Sequence, residues 1–225
     1  YREEWLLNQI KKIRGVDSSQ NQFHTVSLPD EVQSGKPGID HEKLTDLAHK
    51  KVIELLVKYE NNPTQKHRDT LRQIVETYSL MVQGRLKERI AFPLGTGLGK
   101  TTSIVAFISA AFELGYTDFS MTVAASKVEQ LADLKRDLVA AGVPEEQIGL
   151  IHSYKYDRHK AQVYLEGSEE LPDNYASEPC TRYDEVEDKQ FLLVTHNRIQ
   201  GRVAVEAVSY THLRAHETVL DLVCR

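Results

Sequence analysis

Apolar residues recur every three or four positions through much of the chain. Leu44, Leu47, Ala48, Val52, Leu55, Leu56 and Tyr59 form one such stripe. It predicts a helix capped by Asp40 and running to about Glu60. Asn61-Asn62-Pro63 breaks the stripe. A second helix is expected near Thr64–Gln83, with Leu71, Ile74, Val75, Tyr78 and Val82 inward. Arg2–Arg14 repeats the pattern with Trp5, Leu6, Ile10 and Ile13, while Gly15–Ile39, rich in Gly, Pro, Ser and Asn, reads as a loop or linker. These stripes are read as core packing.

From about residue 89 short apolar runs alternate with helical stripes. Arg89–Leu94 reads as a strand and Thr102–Leu114 as a helix apolar almost all round, hence buried against a sheet. Gly115 suits the end of that helix. Phe119–Ala124 reads as the next strand, so strand, helix and strand predict a right-handed parallel crossover. Lys127–Ala140 is a further helix with Val128, Leu131, Leu134, Leu138 and Val139 inward, ended by Gly142 and Pro144. Ile148–His152 and Phe191–Thr195 are two more strands. Between them Tyr154–Lys189, polar and acidic with Pro172 and Pro179, is expected to be an irregular insertion. The order is that of an α/β sheet protein.

A length of 225 residues suits one or two domains. The formal net charge of −5 argues against a small, strongly basic DNA-coating protein, yet leaves room for nucleic acid at local basic patches. The cysteines are Cys180 and Cys224, too few for a disulfide framework or a Cys-rich zinc site, which suits a reducing cytoplasm. The most apolar stretch, Ile104–Phe112, is too short to span a bilayer, so no membrane partner is expected.

Val208–Arg225, VSYTHLRAHETVLDLVCR, resembles a translated sequencing adapter and is set aside from the fold as a non-native tail. The alternative is an amphipathic helix with Leu213, Leu220 and Val223 on one side. With Tyr1 in place of an initiator Met, the chain is expected to be an interior fragment. It divides into a helical region and linker (1–62), a partial nucleotide-binding domain (63–207) and the tail (208–225).

The chemistry concentrates at Phe92–Thr102, FPLGTGLGKTT. Gly95, Gly97 and Gly99 let backbone N–H groups approach phosphate oxygens where a Cβ would clash. The helix that follows adds unpaired N–H groups and the positive end of its dipole. Lys100 can reach β- and γ-phosphates, and the Thr101 hydroxyl can complete a Mg²⁺ shell. The strict phosphate-loop pattern wants glycine where Leu94 stands; glycines at Gly95 and Gly97 make the helicase-style version. His152 and His159 have no Cys or carboxylate partners at metal-motif spacing, and His212 and His216 fall in the tail.

On these residues the chain resembles the first RecA-like domain of superfamily 2 DEAD/DEAH-type helicases, over roughly Thr64–Gly201. GTGLGKTT resembles their first motif, AASKVEQLADL at Ala124–Leu134 the second, and LLVTHNRI at Leu192–Ile199 the strand before the DEAD/DEAH box. The resemblance implies an incomplete RecA-like P-loop fold and an ATP-dependent helicase or translocase. It implies that Gly95, Thr96, Gly97, Gly99, Lys100, Thr101 and Thr102 hold Mg-ATP, with Lys100 and Thr101 catalytic and Thr101 on the metal. It places Gln73 where such enzymes carry an adenine-reading glutamine. Ser126, Lys127, Thr195, His196 and Arg198 would contact DNA or RNA.

The box itself has no match. Asp184-Glu185-Val186-Glu187-Asp188 precedes the Thr-His strand and lacks an apolar strand of its own, so it reads as a solvated acidic loop. The isolated chain is therefore expected not to turn over ATP. The resemblance further implies a cytoplasmic protein of bacterial, phage or mobile-element origin. Two alternatives stand beside it: a P-loop NTPase or nucleotide kinase that moves no nucleic acid, and a noncatalytic module docking partners through its N-terminal helices.

Overall fold

The computed structural model describes residues 38–86, 90, 92, 97–117 and 119–196, and the backbone of 210–213 and 220–224. Internal packing divides the chain into Tyr1–Val32 and Gln33–Arg225, and all described residues belong to the second unit. The helix expected at Arg2–Arg14 therefore lies outside the described residues, as does most of the following linker.

Helix α1 (His41–Lys58) starts where Asp40 accepts the Lys43 N–H at 3.1 Å. Helix α2 (Gln65–Val82) starts at Thr64, whose hydroxyl accepts from the His67 N–H. Both elements match the expected stripes except at Tyr59, which follows the last residue of α1 and is exposed. A buried Thr45–Ser79 hydrogen bond of 3.0 Å joins the two helices, and Gln83 donates to the Ile39 carbonyl. Helix α3 (Lys100–Glu113) is buried over Ser103–Ala111, as its composition requires. Its cover is chiefly α1, with α2 and the next helix alongside, and it shares one core with the strand residues Met121, Val123, Phe191 and Leu193. The apolar stripe of α1 supplies that cover: Leu44, Ala48, Val52 and Leu56 share one core with Ile104, Phe107 and Ile108. Tyr78 stands edge-on to Phe107 at 5.5 Å between ring centroids, joining α2 to the same core.

The second half is a small parallel sheet flanked by helices, so the chain is an α/β protein. Strand β1 (Met121–Ala125) leads into α4 (Val128–Ala140), which packs on the sheet; β2 (Ile148–Ile151) follows. Strand β5 (Phe191–Thr195) runs parallel between them, with Ala125 opposite Thr195 and Ile151 opposite Val194. Of the strand expected at Arg89–Leu94, only Ile90 and Phe92 are described, and neither is in a strand.

The Tyr154–Lys189 insertion differs from expectation. It holds β3 (Lys155–Tyr156), α5 (Arg158–Leu165) and β4 (Tyr175–Ala176), with β3 and β4 parallel, and a 3₁₀ turn over Tyr183–Asp188. Thr181 closes the open edge of β2: its N–H donates to the Leu150 carbonyl at 2.7 Å, and its hydroxyl accepts from the Leu150 N–H at 2.8 Å. A nearly buried Lys135 on α4 pairs with Glu145 at 2.7 Å and Glu178 at 3.0 Å. Short-range periodicity is blind to these ties, because each joins residues far apart in sequence.

The segment set aside as a tail contributes backbone to the sheet. Strands β6 (Tyr210–Leu213) and β7 (Leu220–Cys224) form an antiparallel hairpin, with β7 antiparallel to β1. The full order is β2-β5-β1-β7-β6. These residues are extended rather than in the amphipathic helix weighed as the alternative. The free edge of β1 offers a row of backbone donors and acceptors, which strand pairing satisfies.

Candidate functional site: a glycine loop and a sheet edge

The loop enters α3 through left-handed backbone. Gly97 has φ 77° and Gly99 φ 83°, a region that costs other L-residues about 1–2 kcal/mol. Gly99 is also the residue preceding the first helical turn, and its carbonyl accepts both the Ser103 N–H and the Ser103 hydroxyl at 2.8 Å. A Cβ on Gly99 would lie 3.2 Å from Leu71 Cδ2, whereas one on Gly97 would meet nothing within 4 Å. Gly99 is thus pressed on the helical layer, and Gly97 faces open space.

Lys100, Thr101 and Thr102 form the first turn of α3, the end at which a helix presents its N–H groups. Lys100 is half-buried, and burial holds its ammonium below the ordinary lysine pKa. Thr101 is exposed and Thr102 half-buried. The assembly is a cation, two hydroxyls and aligned amides at a helix N-terminus, a donor set that fits a polyanion. Gly95 and Thr96 lie outside the described residues.

His67, which the sequence reading did not single out, anchors this loop. Its Nε2 lies 3.0 Å from the Leu98 carbonyl oxygen, and that hydrogen bond requires Nε2 to carry the proton. The available signal is its place one turn before Leu71, which touches Gly99. Gln73 is not brought to the loop in this way. It is exposed, and it lies about 200° around α2 from Leu71.

The other predicted residues gather at the carboxyl ends of neighbouring strands. Ser126 and Lys127 are exposed and follow β1, Lys127 being the residue that precedes α4. Thr195 ends β5 and His196 follows it, both half-buried. Since Ala125 and Thr195 are paired in register, the two segments leave the sheet side by side, about 4.8 Å apart. Glu129, in the first turn of α4, is taken up by Ser177, which donates its N–H at 3.1 Å and its hydroxyl at 2.6 Å. Arg198 lies outside the described residues.

One further strand extends this edge. His152 directly follows β2 and is buried. Its Nδ1 accepts the Tyr154 N–H at 3.1 Å, so Nε2 carries the proton donated to the Glu178 carbonyl, also at 3.1 Å. It is a structural residue that orients the chain leaving β2. Among the described residues no group of three or more His, Cys, Asp or Glu could hold a metal, and no helix is long and apolar enough to cross a membrane.

Fold and site define an α/β protein with a glycine loop opening a buried helix. No family profile, curated protein or solved structure matches the chain.

Proposed function

We propose that the chain is the nucleotide-binding part of an ATP-dependent helicase or translocase, with an incomplete RecA-like domain of the superfamily 2 kind. The observation that carries this reading is the loop itself: Gly97 and Gly99 in left-handed backbone, then Lys100 and Thr101 opening a buried helix. The residues fit Mg-ATP. Lys100 and the first-turn amides of α3 would hold the phosphates, and the Thr101 hydroxyl would take a place on Mg²⁺. ATP supplies the phosphoanhydride whose cleavage drives movement, and the metal neutralises charge on its phosphates.

The sheet edge supports the nucleic-acid half of the reading. Ser126, Lys127, Thr195 and His196 offer hydroxyls, a cation, an imidazole and a helix N-terminus on adjacent strand ends. Such groups position a phosphodiester backbone without reading its sequence. Ligands of open α/β sheets bind at this carboxyl edge.

Calorimetric titration of the chain with ATP and Mg²⁺ tests the reading. Saturable binding is expected, and Lys100→Ala should weaken it about 10- to 100-fold through loss of a charge-assisted contact. Absence of binding, or equal binding by the variant, overturns the proposal.

A further inference from the structure

The stretch Tyr154–Lys160, YKYDRHK, interleaves aromatic and basic residues, and every residue from Ser153 to Lys160 is exposed. We propose that this stretch is a second contact surface for single-stranded nucleic acid, continuing the path of the strand ends past β2. It rests on the function proposed above, and it adds to that reading a contact outside the phosphate loop and the two strand ends.

Position is the first argument. Ile151 is paired with Val194, so the chain leaving β2 emerges beside Thr195 and His196, and these lie beside Ser126 and Lys127. The Tyr154 ring stands edge-on to His152, with centroids 6.4 Å apart, so the new surface is fastened to the sheet edge.

Charge is the second. Lys155, Arg158 and Lys160 carry three positive charges within a chain of net charge −5. The one acid among them, Asp157, is turned back to accept the Lys160 N–H at 3.1 Å as the cap of α5. Among the described residues, no ion pair engages Lys155 or Arg158. Exposed cations that no ion pair among the described residues engages suit a polyanion.

The third is the aromatic component, which separates nucleic acid from other polyanions. Tyr154 and Tyr156 are each 41% exposed, large rings that the core does not absorb. Exposed rings among cations match bases stacking while phosphates pair. An acidic peptide would use the charges and leave the rings idle.

The surface is also pre-shaped. The Lys155 N–H donates to the Asn174 carbonyl at 2.8 Å, and Lys160 Nζ sits 4.2 Å from the Tyr175 ring centroid. Ser177 and Glu178, just after β4, are held to α4 through Glu129 and Lys135. Little ordering then remains to oppose binding.

Fluorescence anisotropy with labelled oligo-dT and oligo-U, about 20 nucleotides long, tests the proposal on the whole chain over a range of salt. Tyr154→Ala with Tyr156→Ala should weaken binding by about 30-fold or more, and the corresponding Phe pair should bind within about twofold of the parent because it keeps both ring faces. Lys155→Ala with Arg158→Ala should flatten the slope of log K against log salt by about 1.4, about 0.7 for each lost phosphate contact. Ser126→Ala with Lys127→Ala is measured alongside. If that pair weakens binding and the tyrosine pair does not, the surface proposal falls and the function proposal stands. If the parent binds Mg-ATP but no oligonucleotide, the helicase reading falls, and the surface with it. Preferential displacement of the oligonucleotide by polyglutamate identifies a peptide site and overturns the surface proposal.

Discussion

His67 on α2 donates from Nε2 to the carbonyl oxygen of Leu98, 3.0 Å away and thirty-one residues further along the chain. The bond fixes a loop carbonyl to a helix. His67→Ala should therefore loosen the loop while sparing the core. Hydrogen exchange at Leu98–Thr101 should speed up, and Mg-ATP affinity should fall about fivefold, the equivalent of one neutral hydrogen bond of about 1 kcal/mol. Unchanged exchange at those amides would remove the anchoring role.

Gly99 and Gly97 share left-handed backbone but differ in surroundings. Gly99→Ala meets both the backbone penalty and Leu71 Cδ2 at 3.2 Å. Gly97→Ala meets the backbone penalty alone. Urea denaturation should show a loss of about 2 kcal/mol for Gly99→Ala and about 1 kcal/mol for Gly97→Ala. Equal losses would mean that the contact with Leu71 does not count.

Lys135 ties α4 to the insertion. Burial lowers its pKa, but hydrogen bonds to Glu145 and Glu178 outweigh that, and the value is raised above the ordinary 10.5. A raised lysine contributes stability that is fully present below 10.5 and lost as pH climbs through the folded-state value. Lys135→Ala leaves the shielded Glu178 without its main cation and should destabilise by about 3 kcal/mol at neutral pH. Comparing melting temperatures of parent and variant checks this, and the difference should shrink only at strongly alkaline pH.

Lys100 is shifted the other way: burial lowers its pKa below 10.5. Between the two values the unfolded chain binds more protons, so the fold gains stability as pH rises through that window. Nucleotide phosphates favour the charged amine and work in the opposite direction. Mg-ATP affinity should therefore decline as pH rises through the lowered value, and calorimetry from about pH 7 to about pH 10 should show it. Lys100→Met should bind weakly with no such alkaline limb.

Much of the helical layer was legible in local pattern. Asp40 and Thr64 cap their helices, and the stripes beginning at Leu44 and Leu71 are the buried faces, because capping and a 3.6-residue period act within a few turns. The glycine loop was legible for a similar reason: Gly97, Gly99 and Lys100 are neighbours in sequence, so the local pattern alone marks a tight turn into a helix. Tyr154–Lys160 interleaves aromatic and basic residues inside a stretch read only as an irregular insertion, and nothing local said that it emerges beside the sheet edge.

What the sequence by itself determined, then, is the helices α1 to α4 with most of their buried faces, the strands β1, β2 and β5, and the donor set of Gly97–Thr102, but not the elements of the insertion or the strands at 210–224. Only the tertiary structure decided that α1 covers α3, that Ser126–Lys127 and Thr195–His196 leave the sheet as neighbours, and that Thr181, Lys135 and Glu178 fasten the insertion to β2 and α4. The physical reason is range. Caps, turns and helical stripes are set by interactions spanning a few residues. Strand pairing, helix cover and buried ion pairs join residues tens of positions apart, and they exist only once the whole chain has packed.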